Sequence, residues 1–140
     1  MAESMDTKMN RELLIKGWSL CVGTMDAITG FLLVFAPGVV LKLLGISPPD
    51  ETAMVFLSWM GVFITGVGLS YAWALRISME GALVWKVTSM IRFMVAAFIS
   101  WKVGTGELER AWLLVALSDA AVAVVQLQIL RLGWWREVDI

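Results

Sequence analysis

Four uninterrupted apolar runs, Leu13–Phe35, Ala53–Leu75, Leu83–Val103 and Ala111–Leu130, each reach the roughly 20 residues that an α-helix needs to cross the hydrocarbon of a bilayer. Lipid offers no water to backbone N–H and C=O groups, so a segment of this kind satisfies them internally as a helix. No other feature restricts the folding of this chain so strongly. Composition agrees with it. Of the 140 residues, 59% are hydrophobic and 16% charged, with a mean hydropathy of +0.80, against roughly 45–50% apolar and 25% charged in a soluble domain. A soluble fold of this length would lack the polar residues to cover its surface.

The expected fold class is therefore all-α. It is a single transmembrane four-helix bundle over residues 1–140, with antiparallel neighbouring spans. The runs are punctuated by Pro37, by Ser47-Pro48-Pro49-Asp50, by Glu80-Gly81 and by Gly104-Thr105-Gly106-Glu107, the residue types that start and stop helices. Between the first two runs, GVVLKLLG (Gly38–Gly45) is too short to span. It reads either as a short interfacial helix or as the first helix continued past a proline kink. The N-terminal MAESMDTKMNRELL mixes both signs of charge and leads into a run longer than a signal-peptide core, with no small-residue cleavage site. It is expected to be retained.

Counting flanks, Lys8, Arg11, Lys16, Arg76, Lys86, Arg131 and Arg136 fall on one side of the membrane and Lys42, Lys102 and Arg110 on the other. That imbalance predicts an inner (plasma) membrane protein with both termini cytoplasmic. The tryptophans divide in the same way. Trp18, Trp73, Trp85, Trp134 and Trp135 lie toward the inner surface, and Trp59, Trp101 and Trp112 toward the outer. Two interfacial belts are expected from this, with buried core aromatics as the alternative.

Helices in lipid associate through close backbone approach and interhelical hydrogen bonds, so small residues should mark the inward faces. The stripes are Ser19, Gly23, Asp26 and Gly30; Ser58, Gly61, Thr65, Gly68 and Ala72; Ser89, Arg92, Ala96 and Ser100; and Ala116, Asp119, Ala123 and Gln126. Each intramembrane charge lies on its helix's stripe. At about 1.5 Å per residue, Asp26, Arg92 and Asp119 lie at about 20, 14 and 18 Å from the inner boundary, within the reach of an arginine side chain. Arg92 is thus expected to be held by both aspartates. Two acids around one base leave a surplus of one negative charge, to be met by a proton or a bound cation.

Two readings of this cluster follow. It locks helices in register, or it is the proton- or ion-binding site of a small oligomeric transporter or channel. On the second reading Thr65, Ser70, Tyr71, Gln126 and Gln128 extend a polar path toward the cytoplasm; on the first they bond neighbouring helices.

The chain has no histidine, which removes the usual ligand of haem, zinc and copper and the commonest general base. Cys21 is alone, forms no intramolecular disulfide and is expected to pack. There is no glycine-rich phosphate loop and no nucleophile elbow, and Glu107-Leu108-Glu109 reads as a solvated turn. A lipid-acting enzyme built on Asp26 and Asp119 is the weaker alternative to a non-catalytic protein. A net charge of −1 gives no footprint for nucleic acid. Neither metal nor cofactor is expected. Nine methionines fit a compliant lipid-binding cavity or helix-interface filler. The partners expected are membrane lipid, or pigment, and other membrane subunits or copies of the same chain.

In order, the first span with GTMDAITGFLLVFAP, then LLGISPP, the second span WMGVFITGVGLSYAWAL, an arginine in the third and SDAAVAV in the fourth resemble the small bacterial four-helix membrane proteins of the DoxX-like kind and related uncharacterised families. The resemblance covers the whole chain. It implies an inner-membrane protein of four helices, accessory to a redox or other membrane complex, and it transfers no catalytic residue.

Overall fold

The computed structural model describes residues 2–76 and 78–136. The side chains of Glu80 and Arg136, a helix-start signal and a counted charge in the sequence, lie outside the described residues. Five α-helices form: α1 (Ala2–Phe35), α2 (Pro37–Leu44), α3 (Glu51–Ala74), α4 (Ser78–Gly104) and α5 (Leu113–Arg131), with 3-10 turns at Arg110–Trp112 and Trp134–Arg136. Four of them are long and apolar enough to cross a membrane. The chain is an all-α membrane protein, and no strand occurs among the described residues.

Local chemistry sets the helix ends. Ala36 leaves the helical region at φ −147° and ψ 56°, and Pro37 opens α2, where its missing N–H costs nothing. GVVLKLLG therefore belongs to a separate helix, not to a kinked extension of α1. Gly45 ends α2 at φ 69°; its N–H donates to Lys42 O (3.2 Å) and that of Ile46 to Leu41 O (2.9 Å). The end of α4 repeats this left-handed cap at Gly106, φ 77°, with the N–H of Glu107 donating to Lys102 O (2.9 Å). The Asp50 side chain caps α3 by accepting from Ala53 N–H at 2.8 Å. With 34 residues, α1 is about 51 Å long and outlasts the bilayer. The charged N-terminal segment continues the first span as helix.

The long helices pack as two pairs, α1 along α3 and α4 along α5, with α3 beside α4. Glycine makes the first pair. A Cβ at Gly68 would stand 2.6 Å from Gly23 O, and one at Gly61 would stand 2.6 Å from Gly30 O, so the backbones touch where side chains would hold them apart. That is the membrane substitute for hydrophobic association. Ala72 and Ser100 are corrections to the stripes, since both are exposed and Tyr71 and Ile99 take the buried places. Beyond Gly68 the inward face of α3 turns from α1 to α4 and α5, where space calls for a large side chain. Ile99 fills the apolar contact of α4 with Ala116 of α5.

The interior has two parts. Toward the chain termini, Ile15, Val22, Tyr71, Trp85, Ile129 and Trp135 form one core to which α1, α3, α4 and α5 all contribute. Toward the opposite end, the cluster of Ala96, Ile99 and Ala116 belongs to α4 and α5. Trp85 and Trp135 are therefore core residues and not belt residues, with ring centroids 5.3 Å apart in an edge-to-face contact. Trp59, Trp73 and Trp101 stay exposed as belt residues should. Cys21 is exposed and does not pack inside, because it lies on the face of α1 opposite Asp26.

Valine at Gly68 should destabilise the bundle by about 1–3 kcal/mol, because its clash is with backbone atoms of α1 that have nowhere to move. Alanine at Gly66, where a Cβ meets nothing within 4 Å, should stabilise it by about 0.5–1 kcal/mol. Thermal unfolding in detergent micelles reads both. At the α4–α5 turn, hydrogen bonds from Lys102 (2.6 Å) and Thr105 (2.9 Å) lower the Glu107 carboxyl from its usual range. A carboxyl lowered by folding adds stability above its unfolded pKa and loses it as pH falls through the folded value. Glu107→Gln should therefore lower stability slightly at neutral pH and leave it unchanged in acid, so that the acid side of the stability profile flattens.

Candidate functional site: a charge cluster at mid-membrane

With Lys16 rather than Leu13 taken as the inner end of the span, Asp26 lies ten residues from it and nine from Phe35 on α1, about 15 Å and about 14 Å from the two ends and hence near the middle of the span. Across from it on α4, Arg92 donates through Nη2 to Asp26 Oδ2 and through Nη1 to Asp119 Oδ1 of α5. The planar guanidinium, with donors on two separate nitrogens, suits a site where the acids come from different helices. Side-chain exposure is 7% for Arg92, 10% for Asp26 and 17% for Asp119. The three residues that the sequence singled out are thus brought together as expected, in a low-dielectric setting where an unpaired charge costs at least a few kcal/mol.

A second polar contact lies two turns nearer the termini. Trp85 Nε1 donates to Ser19 Oγ at 3.1 Å. Ser19 and Asp26 are seven residues apart on α1, as are Trp85 and Arg92 on α4, so the two contacts form successive rungs between parallel helices. The backbones of α1 and α4 do not pack closely, and long side chains bridge the gap. Beside these rungs, Gln126 Nε2 donates to the Tyr71 hydroxyl (2.7 Å), which donates to Thr88 Oγ1 (3.2 Å), while Ser89 Oγ donates to Gln126 Oε1 (3.1 Å). Tyr71 also stands within electrostatic reach of Arg92.

Of the polar-path candidates, Tyr71 and Gln126 meet. Thr65 and Ser70 do not join them. Each turns back on its own helix, Thr65 to Gly61 O (2.8 Å) and Ser70 to Val67 O (2.6 Å), the usual use of a hydroxyl in a span. Gln128 is exposed. Thr88 and Trp85 were missed as network members. Their signal was a threonine beside Ser89, and a tryptophan one turn before it, on the helix that carries Arg92. Thr88 ends the chain of donors on the carbonyls of Val84 (2.9 Å) and Trp85 (3.2 Å). Beyond it, toward the termini, the fully buried Trp85 and Ile15 close the bundle. The network joins α3, α4 and α5 through Tyr71, Thr88, Ser89 and Gln126. Among the described residues no three His, Cys, Asp or Glu side chains are grouped to hold a metal ion.

Comparison of the chain with protein-family models, with curated proteins and with solved structures finds no match.

Leucine in place of Asp26 alone leaves Arg92 under-compensated and should cost about 3–5 kcal/mol of stability, whereas replacing Asp26, Arg92 and Asp119 together by leucine should cost far less. Urea or thermal unfolding of the single and triple variants in one detergent checks that order. A triple variant as damaged as the single one would contradict the pairing.

Proposed function

We propose that the protein is a non-catalytic, multi-pass subunit of a bacterial inner membrane, both termini cytoplasmic, that acts by packing against other membrane subunits or copies of itself and holds lipid between its helices. The observation that carries this reading is the closed interior. Every intramembrane charge is spent on joining helices, and the polar network ends on backbone carbonyls above an apolar plug. Function then falls to the outside of the bundle. That surface is broad and apolar, with Phe31, Phe35, Phe56, Trp59, Phe63, Phe98 and Trp101 all exposed, and contiguous apolar area of this kind suits lipid and other helices. An accessory role is also what the DoxX-like motif order implies. No catalytic role is proposed for Asp26 or Asp119.

One observation favours a second reading, a small oligomeric proton- or ion-coupled transporter. Two acids share one arginine, and that surplus charge is the kind that coupling sites use. Asp119→Asn separates the two. Under the assembly reading the variant loses thermal stability and its association with co-purifying subunits after gentle extraction, with no ion flux in liposomes from either form. An intact, fully assembled variant whose liposomes differ from wild type in proton or cation flux would overturn it.

A further inference from the structure

Contact between the two helix pairs is distributed unevenly along the bundle. Near the termini all four long helices meet in one apolar core. There Trp85 bonds Ser19, and Tyr71 bonds Thr88 and Gln126, across the pairs. The apolar cluster of the other half takes no residue from α1 or α3. On α3, the face that buries Tyr71 completely leaves Met60, eleven residues earlier and about three turns away, 47% exposed. Counted from the termini, Arg92 to Asp26 is the last intramembrane hydrogen bond between the pairs among the described residues. Beyond it among those residues comes one exposed bond between loops, Ser47 N–H to Glu109 Oε2 at 3.5 Å.

Arg92 divides its two terminal nitrogens between the pairs. Asp119 belongs to the pair of Arg92 itself, where the contact of Ala96 and Ile99 with Ala116 and the bond of Ser89 to Gln126 keep α4 on α5. Asp26 belongs to the other pair. If the pairs part, Arg92 keeps Asp119 and its charge stays balanced, while Asp26 is left facing hydrocarbon. Lipid expels a carboxylate without a partner and tolerates a neutral carboxyl far better. Parting therefore places a proton on Asp26, and it removes the surplus charge of two acids around one base. The groups that face Asp26 are Arg92 of α4 and Asp119 of α5, with the Tyr71 hydroxyl of α3 beside Arg92. Between Lys16 and Phe35, α1 adds only Cys21, on its opposite face. Apolar helix faces gain little by meeting each other rather than acyl chains, so the ion pair and not burial decides whether this half is closed.

We propose that the Arg92–Asp26 pair is a proton-released clasp. With Asp26 ionised it holds the two helix pairs together away from the termini; with Asp26 protonated that half of the bundle parts, and the core near the termini stays closed. Arg92 then keeps to Asp119. The device lies in the bundle itself and works with or without neighbouring subunits. Acid favours the parted form, because that is the form that requires the proton.

The test measures distances between spin labels on the full chain in liposomes, with Cys21→Ser as background. Labels at Phe35→Cys of α1 and Leu114→Cys of α5, both exposed, report the half away from the termini; labels at Leu13→Cys and Leu132→Cys, also exposed, report the other end. Between about pH 9 and about pH 4 the first distance should grow by at least about 5 Å while the second stays fixed. Asp26→Asn, neutral at every pH, should hold the longer distance throughout. Asp119→Asn leaves Arg92 no carboxylate but Asp26 and should hold the shorter one. A first distance that ignores pH overturns the proposal, and so does growth of both distances together, which marks general loosening. An Asp26→Asn chain that still responds to acid overturns it as well. Should either variant fail to fold, the wild-type chain decides: the infrared band of a protonated carboxyl must grow with the same midpoint as the distance, and a distance change without it sinks the clasp.

Discussion

Arg92 can stay at the centre of a bilayer only while carboxylates stay beside it, and much of the bundle follows from that requirement. The acids come from α1 and α5, so a single side chain of α4 holds both helix pairs to a common level. In water, burial of apolar surface would bring the pairs together; in lipid an apolar face gains little by leaving one apolar neighbour for another. Polar contacts are then what distinguishes the correct partner from the solvent. The rung of Trp85 on Ser19, two turns away, fixes the register that one rung alone would leave free to pivot.

Two kinds of contact divide the work. Within the pair α1–α3, Gly23, Gly30, Gly61 and Gly68 bring backbones into van der Waals contact, which maximises dispersion and leaves no room for side chains. Between the pairs the axes stand further apart, and the space is filled by large inward side chains, Trp85, Tyr71 and Gln126 among them. Their polar ends need partners in a place with no water, and Ser19, Thr88 and Ser89 provide them. The C-terminal turn completes this arrangement: Gly133 at φ 72° reverses the chain so that Trp135 covers Gly81 and meets Trp85 edge to face.

The aromatic side chains are distributed unevenly between the two ends. Near the termini Trp85 and Trp135 are buried and Trp18 and Trp134 partly so, with Arg11 5.5 Å above the Trp134 ring. Toward the other end the rings face outward, as in the stack of Phe56, Trp59 and Phe63 along α3. Trp73, exposed near the termini, is the exception.

The spans, their antiparallel order and the pairing of Arg92 with Asp26 and Asp119 were legible in the sequence, because span length and the cost of a lone charge in hydrocarbon leave few alternatives. Glycine positions likewise marked the α1–α3 seam. What the sequence left undecided was the rotation of helices wherever no glycine or charge marked a face. In lipid the exposed and buried sides of a helix are about equally apolar, so hydrophobic periodicity does not say which side turns inward. For that reason Tyr71 rather than Ala72, Ile99 rather than Ser100, and the burial of Trp85 and Trp135 against the exposure of Cys21 were settled by the tertiary structure, where the gap between helix pairs decides which side chains are large enough to fill it.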